Sequence, residues 1–348
     1  MIFGCTLAIV TSVFESGQRG GAMGVTLAAV YLGLTAGPAI GGLLTETFGW
    51  RSVFFFPVPL SLLGIVIMMV KLKGEWRGAA NHKVDWVGTL LFAVWSITLF
   101  LGISGLPAPG AIVTLVVSFV FLGLFIKQQE VTEFPLVRLS AVVGNKVFSR
   151  SLLASILMYG ANYPLIFLLS LYLQFVRGMS AIDAGKLMLL QALTMAIVAP
   201  IAGRLSDLYQ PRVIASIGCM LVTIGFGFLQ WLSFDTPIFM VGIALVVLGI
   251  GHGLFSTPNN TAAMGAVAEE RLGIASSLVS LSRVLGNMLG TAVLLLLMAL
   301  YIGAEQIGVE QYPALLSVIK VSLVCSLLFS VIGAACSLAR GKSEPRSG

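Results

Sequence analysis

The apolar run Gly273–Tyr301 carries four polar side chains, Ser276, Ser280, Arg283 and Asn287, spaced four, three and four residues apart. Wound as a helix, this spacing places them on one face, which must meet protein or water and not lipid. Arg283 lies about 15 Å into the run, where an arginine costs about 2.5–3.5 kcal/mol on insertion scales. Its five donors and permanent charge suit it to hold an acidic group inside a water-filled cavity. The plainer alternative is a side chain that snorkels to the membrane surface. Tyr159 and Asn162, with Pro164 nearby, make a second polar spot, and Gln191 a third. Arg283, Asn287, Ser280, Asn162, Tyr159 and Gln191 are therefore the expected lining of a substrate cavity. His252, inside the glycine-rich stretch Gly249–Gly253, reads as structural, and Lys320 as a snorkelling residue.

Covalent chemistry finds no support in the residue types. Neither histidine sits near a Ser, Cys or carboxylate that would complete a triad, and no loop carries a carboxylate pair or metal cluster. Cys5, Cys219, Cys325 and Cys336 lie in apolar runs with no CxxC spacing, so they read as buried thiols without a disulfide or metal role. No cofactor and no enzymatic activity are expected.

Two further motifs bear on movement. Gly33, Gly37 and Gly41 recur every fourth residue, followed by Gly42, with Pro38 between them. Such a stripe is expected to let two helices approach closely, with Pro38 bending its helix and the site acting as a hinge or seal. Gly203, Leu205, Asp207 and Arg212 fall in a tight loop. There Asp207 is expected to cap the following helix and pair with Arg212, a latch that holds one conformation and releases in another.

The elements that hold these residues are membrane spans. Hydrophobic residues make up 58% of the 348 and charged residues only 10%, against roughly 25% charged in a soluble domain. A water-soluble enzyme, a nucleic-acid binder and a disordered chain are excluded. Ten apolar stretches approach the roughly 20 residues needed to cross a bilayer: Ala22–Leu44, Val53–Val70, Trp86–Ile103, Ala111–Ile126, Ser151–Phe175, Ala184–Ala202, Val213–Leu232, Ile238–Thr257, Gly273–Tyr301 and Pro313–Ala339. An eleventh, Ile2–Phe14, is a half-length stub without the cationic flank of a signal peptide.

Alternating crossings place 15 of the 20 basic residues on one side, in the loops around Arg19, Lys71–Lys83, Lys127–Arg150, Arg204–Arg212 and Arg271 and in the tail from Arg340. Only Arg51, Arg177 and Lys186 lie on the other side. The positive-inside rule then puts the C-terminus in the cytoplasm, in a plasma or inner membrane. The net charge of +6 is thereby a topology signal, and no nucleic-acid partner is needed. Two long charged loops, Lys71–Asp85 and Lys127–Arg150, divide the stretches into three, two and six.

A weak internal repeat links the first and last groups. Arg19-Gly-Gly precedes Gly33 and Gly37 much as Arg271-Leu-Gly273 precedes Gly286 and Gly290. Repeated helix bundles around a mid-membrane site are a transporter pattern.

Taken together, these residues resemble the major facilitator superfamily, specifically its fourteen-helix drug/proton antiporter branch. The Gly33–Gly42 run is similar to that branch's antiporter signature. Gly203, Leu205, Asp207 and Arg212 resemble its second-bundle loop signature, with Gln210 where that pattern prefers Gly. Gly49-Trp50-Arg51, Asp85-Trp86-x-Gly88, Tyr172-Leu-Gln174 and Pro258-Asn259 extend the likeness. The resemblance implies an all-α membrane protein of about 11 spans that lacks the family's first three helices. Residues 1–72 would be the remainder of an N-terminal bundle, 73–150 the loops and an inserted helix pair, 151–340 a six-helix bundle and 341–348 a cytoplasmic tail. It further implies a monomer exporting amphipathic small molecules by proton antiport. No carboxylate falls at mid-depth to serve that exchange. A non-transporting membrane remnant or scaffold is the alternative reading.

Overall fold

A computed structural model describes residues 2–15, 17–71, 85–133, 135–137, 139–303 and 308–341. The loop residues 72–84, Arg138 and the tail 342–348, on which part of the charge argument rests, lie outside the described residues. Every regular element among those described is a helix: α1 (Ile2–Val13), α2 (Arg19–Phe48), a single-turn α3 (Ser52–Phe55), α4 (Pro57–Lys71), α5 (Trp86–Ser104), α6 (Pro109–Val131), a short α7 (Leu139–Gly144), α8 (Lys146–Leu171), α9 (Ala181–Leu208), α10 (Pro211–Leu229), α11 (Ile238–Gly265), α12 (Leu272–Tyr301) and α13 (Tyr312–Leu338). A π-helical turn, Tyr172–Val176, continues α8.

Local chemistry sets the starts of these helices. Asp85 accepts from the Gly88 amide at 2.8 Å, Asn145 from Phe148 at 3.0 Å and Ser180 from Asp183 at 3.1 Å, each quenching an orphan donor of a first turn. Prolines in the first turns of α6, α10 and α13 sit where no amide donor is required. Among the described residues nine elements are long and apolar enough to cross a membrane, with α3 and α4 forming one span. The expected count of about eleven is not confirmed by these nine. The 12 residues of α1 extend only about 18 Å, and the 30-residue α2 is not among the nine.

Helices α8 to α13 share one apolar core, in which Met158, Leu169, Phe226, Leu245, Phe255 and Val318 are fully buried. Leu7 of α1 and Met23 of α2 join Phe148, Met264 and Val279 in a second cluster. Leu27 and Tyr31 of α2 pack on Met195, Ala196 and Ala199 of α9 in a third. The α5–α6 hairpin is closed by Phe92 against Trp95 and Phe125, at 5.2 and 5.5 Å between ring centroids. At its open end the Gln129 amide donates to Asp85 at 2.8 Å. Helix α4 buries none of its residues, an arrangement suited to lipid on all sides. Of the cysteines, Cys5 is exposed and only Cys219 fully buried, which corrects the expectation of four buried thiols.

The glycine stripe behaves differently from its sequence reading. A Cβ added to Gly33, Gly37 or Gly41 would meet nothing within 4 Å, so among the described residues no helix packs against these three positions. Helix α2 runs unbroken through position 38, while the side chain of Pro38 and the surroundings of Gly42 lie outside the described set. Close approach occurs earlier along α2. A Cβ on Gly24 would stand 2.6 Å from the Ala199 carbonyl oxygen, and Gly20 and Gly203 abut backbone to backbone. Described contact with α9 thus includes Gly20 to Tyr31, and Gly33, Gly37 and Gly41 have no described atom opposite them. The matching pair in α12 is tight: Cβ atoms on Gly286 and Gly290 would lie 2.5 Å from the Ile156 oxygen and 2.6 Å from the Gly160 oxygen of α8.

Candidate functional site: a polar cluster and a latch

Arg283 of α12 does not turn back towards its helix start. Its guanidinium carbon stands 5.0 Å over the ring of Tyr159 on α8, a cation–π contact contributing about 2 kcal/mol when desolvated. The Tyr159 hydroxyl donates to Ser256 of α11 at 3.3 Å. Tyr31 of α2 completes the group, interacting with Tyr159, Ser256 and Arg283. Ser280 and Asn287 flank Arg283 on the same helix face, both half-buried. Beside this group the Gln191 amide of α9 donates to Asn162 of α8 at 2.8 Å. The structure thus brings Arg283 to Tyr159 and Gln191 to Asn162, with Ser280 and Asn287 one turn either side of Arg283 on α12.

Sequence reasoning missed Tyr31, Ser256 and Asn259. The Asn259 amide donates to Ser155 Oγ at 2.8 Å and to the Ser151 carbonyl at 3.3 Å, tying α11 to α8. His252, Ser256 and Asn259 are four and then three residues apart, a polar stripe on one face of α11. That spacing was the available signal.

The second expected site is a latch with a different partner. Asp207 caps α2 and not α10: its two carboxylate oxygens accept from the Gly20 and Gly21 amides, each at 2.8 Å. No ion pair with Arg212 forms among the described residues, and Gln210, the residue before α10, caps nothing with its side chain. The reason is electrostatic. The first turn of a 30-residue helix offers free N–H groups and the positive end of its dipole, and charge-assisted hydrogen bonds to it exceed an exposed ion pair in strength. Gly203 permits this by letting α9 touch α2 at Gly20. Arg19 adds a bond from its Nε to the Phe14 carbonyl at 2.9 Å and lies 3.7 Å from Glu269.

A polar cluster shared by helices from early and late in the chain, with a latch joining them at one end, defines a multi-pass membrane protein of transporter architecture. Residues 1–291 match the model of the Major Facilitator Superfamily, and the chain belongs to that family, whose members are transporters and not enzymes. It is 29% identical over 290 residues to the riboflavin transporter RibZ of Clostridioides difficile, covering 82% of this chain and 62% of that protein. It is 29% identical over 306 residues to the multidrug resistance protein Stp of Mycobacterium tuberculosis, covering 86% of this chain and 56% of that protein. Among solved structures, the human organic anion transporter MFSD10 (TETRAN) aligns with a TM-score of 0.61 at 15% identity, over 95% of this chain and 67% of that one; this likeness concerns the fold. The chain spans little more than half the length of the first curated relatives it matches.

Proposed function

We propose that this chain carries out export of amphipathic small molecules in exchange for protons, as a monomer in the cell membrane with its C-terminus in the cytoplasm and no nucleic-acid partner. The observation that carries this reading is Arg283 seated over Tyr159 within reach of Tyr31 on α2. A cation, a ring face and several amides in one place suit ligands that combine a flat apolar body with polar or acidic groups. Relatives named for riboflavin transport and for multidrug resistance support that class of cargo. Residues 1–72 and 151–340 act as two bundles, with 73–150 inserted between them. Gly33, Gly37, Pro38, Gly41 and Gly42 then mark a movable face of the first bundle, and Gly203, Asp207 and Arg212 belong to the latch region.

The test is transport in proteoliposomes carrying a pH gradient, with riboflavin and a cationic dye as cargoes. We expect gradient-driven movement by the chain and its loss in Arg283→Ala, with membrane insertion unchanged. Normal transport by Arg283→Ala would remove Arg283 from the cavity. A second reading, a non-transporting membrane scaffold, is favoured by one observation: α4 and the far glycines of α2 have no partners among the described residues. Failure of the wild-type chain to move any cargo would support it.

A further inference from the structure

His252 is only 1% exposed, and the functional cluster leaves it unused. Its Nδ1 lies 3.0 Å from the Leu248 carbonyl one turn back on α11. A carbonyl only accepts, so Nδ1 carries the hydrogen and Nε2 is left as a bare lone pair. Among the described residues Nε2 has no hydrogen-bond partner, a state that buried polar atoms rarely hold without a reason. The neighbouring glycines fix where the ring can go. A Cβ on Gly249 would lie 2.7 Å from the Gln191 oxygen of α9, and one on Gly251 2.7 Å from the Val222 nitrogen of α10. With α11 pressed on both helices, the ring is directed at α8, whose Met158 carbonyl faces it.

We propose that His252 binds the coupled proton in this chain, and that its protonation is transmitted to α2 through Ser256, Tyr159 and Tyr31. The step is a simple one: a hydronium ion gives its proton to the Nε2 lone pair and leaves as water, Nδ1–H stays on Leu248, and the new Nε2–H has the Met158 carbonyl as acceptor. At this depth the titratable or charged side chains on the helices around α11 are Tyr159 on α8, Cys219 on α10, Arg283 on α12 and Tyr31 on α2. On α9 the stretch opposite presents Gln191, Thr194 and Val198, none of which titrates. No carboxylate neutralises an imidazolium there, so a proton on His252 adds positive charge one turn from Ser256 and hence close to Arg283. Like charge loosens the seat of Arg283 on Tyr159 and, with it, the contact to Tyr31. The purpose of the proton rests on the exporter reading, but its binding is a property of the chain alone.

The test uses the full chain in lipid nanodiscs. With His82→Gln only one imidazole remains, and nitrogen NMR follows its tautomer and charge. We expect the Nδ1–H form at high pH and conversion to imidazolium as the pH is lowered across the range in which the protein stays folded. Spin labels replacing the exposed Phe48 and Phe239, with the four cysteines changed to alanine, read the distance between α2 and α11. That distance should shift with the same midpoint, and His252→Gln should abolish the shift. A ring that stays neutral over the whole range overturns the proposal, as does a distance that ignores pH or a shift that survives His252→Gln. The wild-type titration stands even where the variant fails to fold. A chain that titrates as described yet moves no cargo would count against the exporter reading and leave the proton site in place.

Discussion

At the scale of single residues, Asp207 commits both of its carboxylate oxygens to the first turn of α2. Its removal leaves two amides of that turn unbonded, at a cost of about 1–2 kcal/mol. Asp207→Ala should therefore raise hydrogen exchange at Gly20 and Gly21 by roughly five- to thirty-fold, while Asp207→Asn, which keeps one acceptor, should fall between. Equal exchange in all three proteins would deny the latch. The polar lining was legible in the sequence because Arg283, Tyr159, Asn162 and Gln191 stand out against apolar spans. The partner of Asp207 was not legible. Nothing local to residues 203–212 announces an amide 187 positions away, and Arg212 offered a nearer charge of the right sign.

At the scale of elements, glycine spacing gave the helix faces but not what lies across from them. Gly33–Gly37 and Gly286–Gly290 share a spacing, yet among the described residues only the second pair touches another helix. A GxxxG pattern describes a capacity for approach, and tertiary placement decides whether it is used. The working contact of α2 lies at Gly24, so the mutational expectation moves there. Gly24→Leu should drive α2 from α9, since a first side-chain carbon would already stand 2.6 Å from the Ala199 oxygen and 2.9 Å from Pro200 Cα. Gly37→Leu should leave the fold intact, having no neighbour within 4 Å. Thermal unfolding in detergent checks the pair: we expect a drop of about 2 kcal/mol or more for Gly24→Leu, and none for Gly37→Leu. Equal stability of the two would contradict the α2–α9 contact.

At the scale of the whole molecule, the count and order of helices were readable from hydropathy to within the short α1 and the glycine-rich α2, because span length is set by the bilayer itself. The charge distribution makes a further commitment about direction. A cysteine placed at Ala108, in the short turn between α5 and α6, should react with a membrane-impermeant thiol reagent in intact cells, and one at Gly78 should not. The reverse pattern would invert the molecule. The latch adds a mechanical consequence. Helix α2 is 30 residues, about 45 Å of stiff rod, and its described apolar contact with α9 reaches as far as Tyr31. Roughly 25 Å of it lies between Tyr31 and Phe48. A rocking of about 10° at the Gly20–Gly24 pivot, roughly 40 Å from Phe48, sweeps the tip by about 7 Å. The molecule thus has the proportions of a lever, in which a proton or ligand that disturbs one tyrosine at the short arm is read out as a gap at the long one.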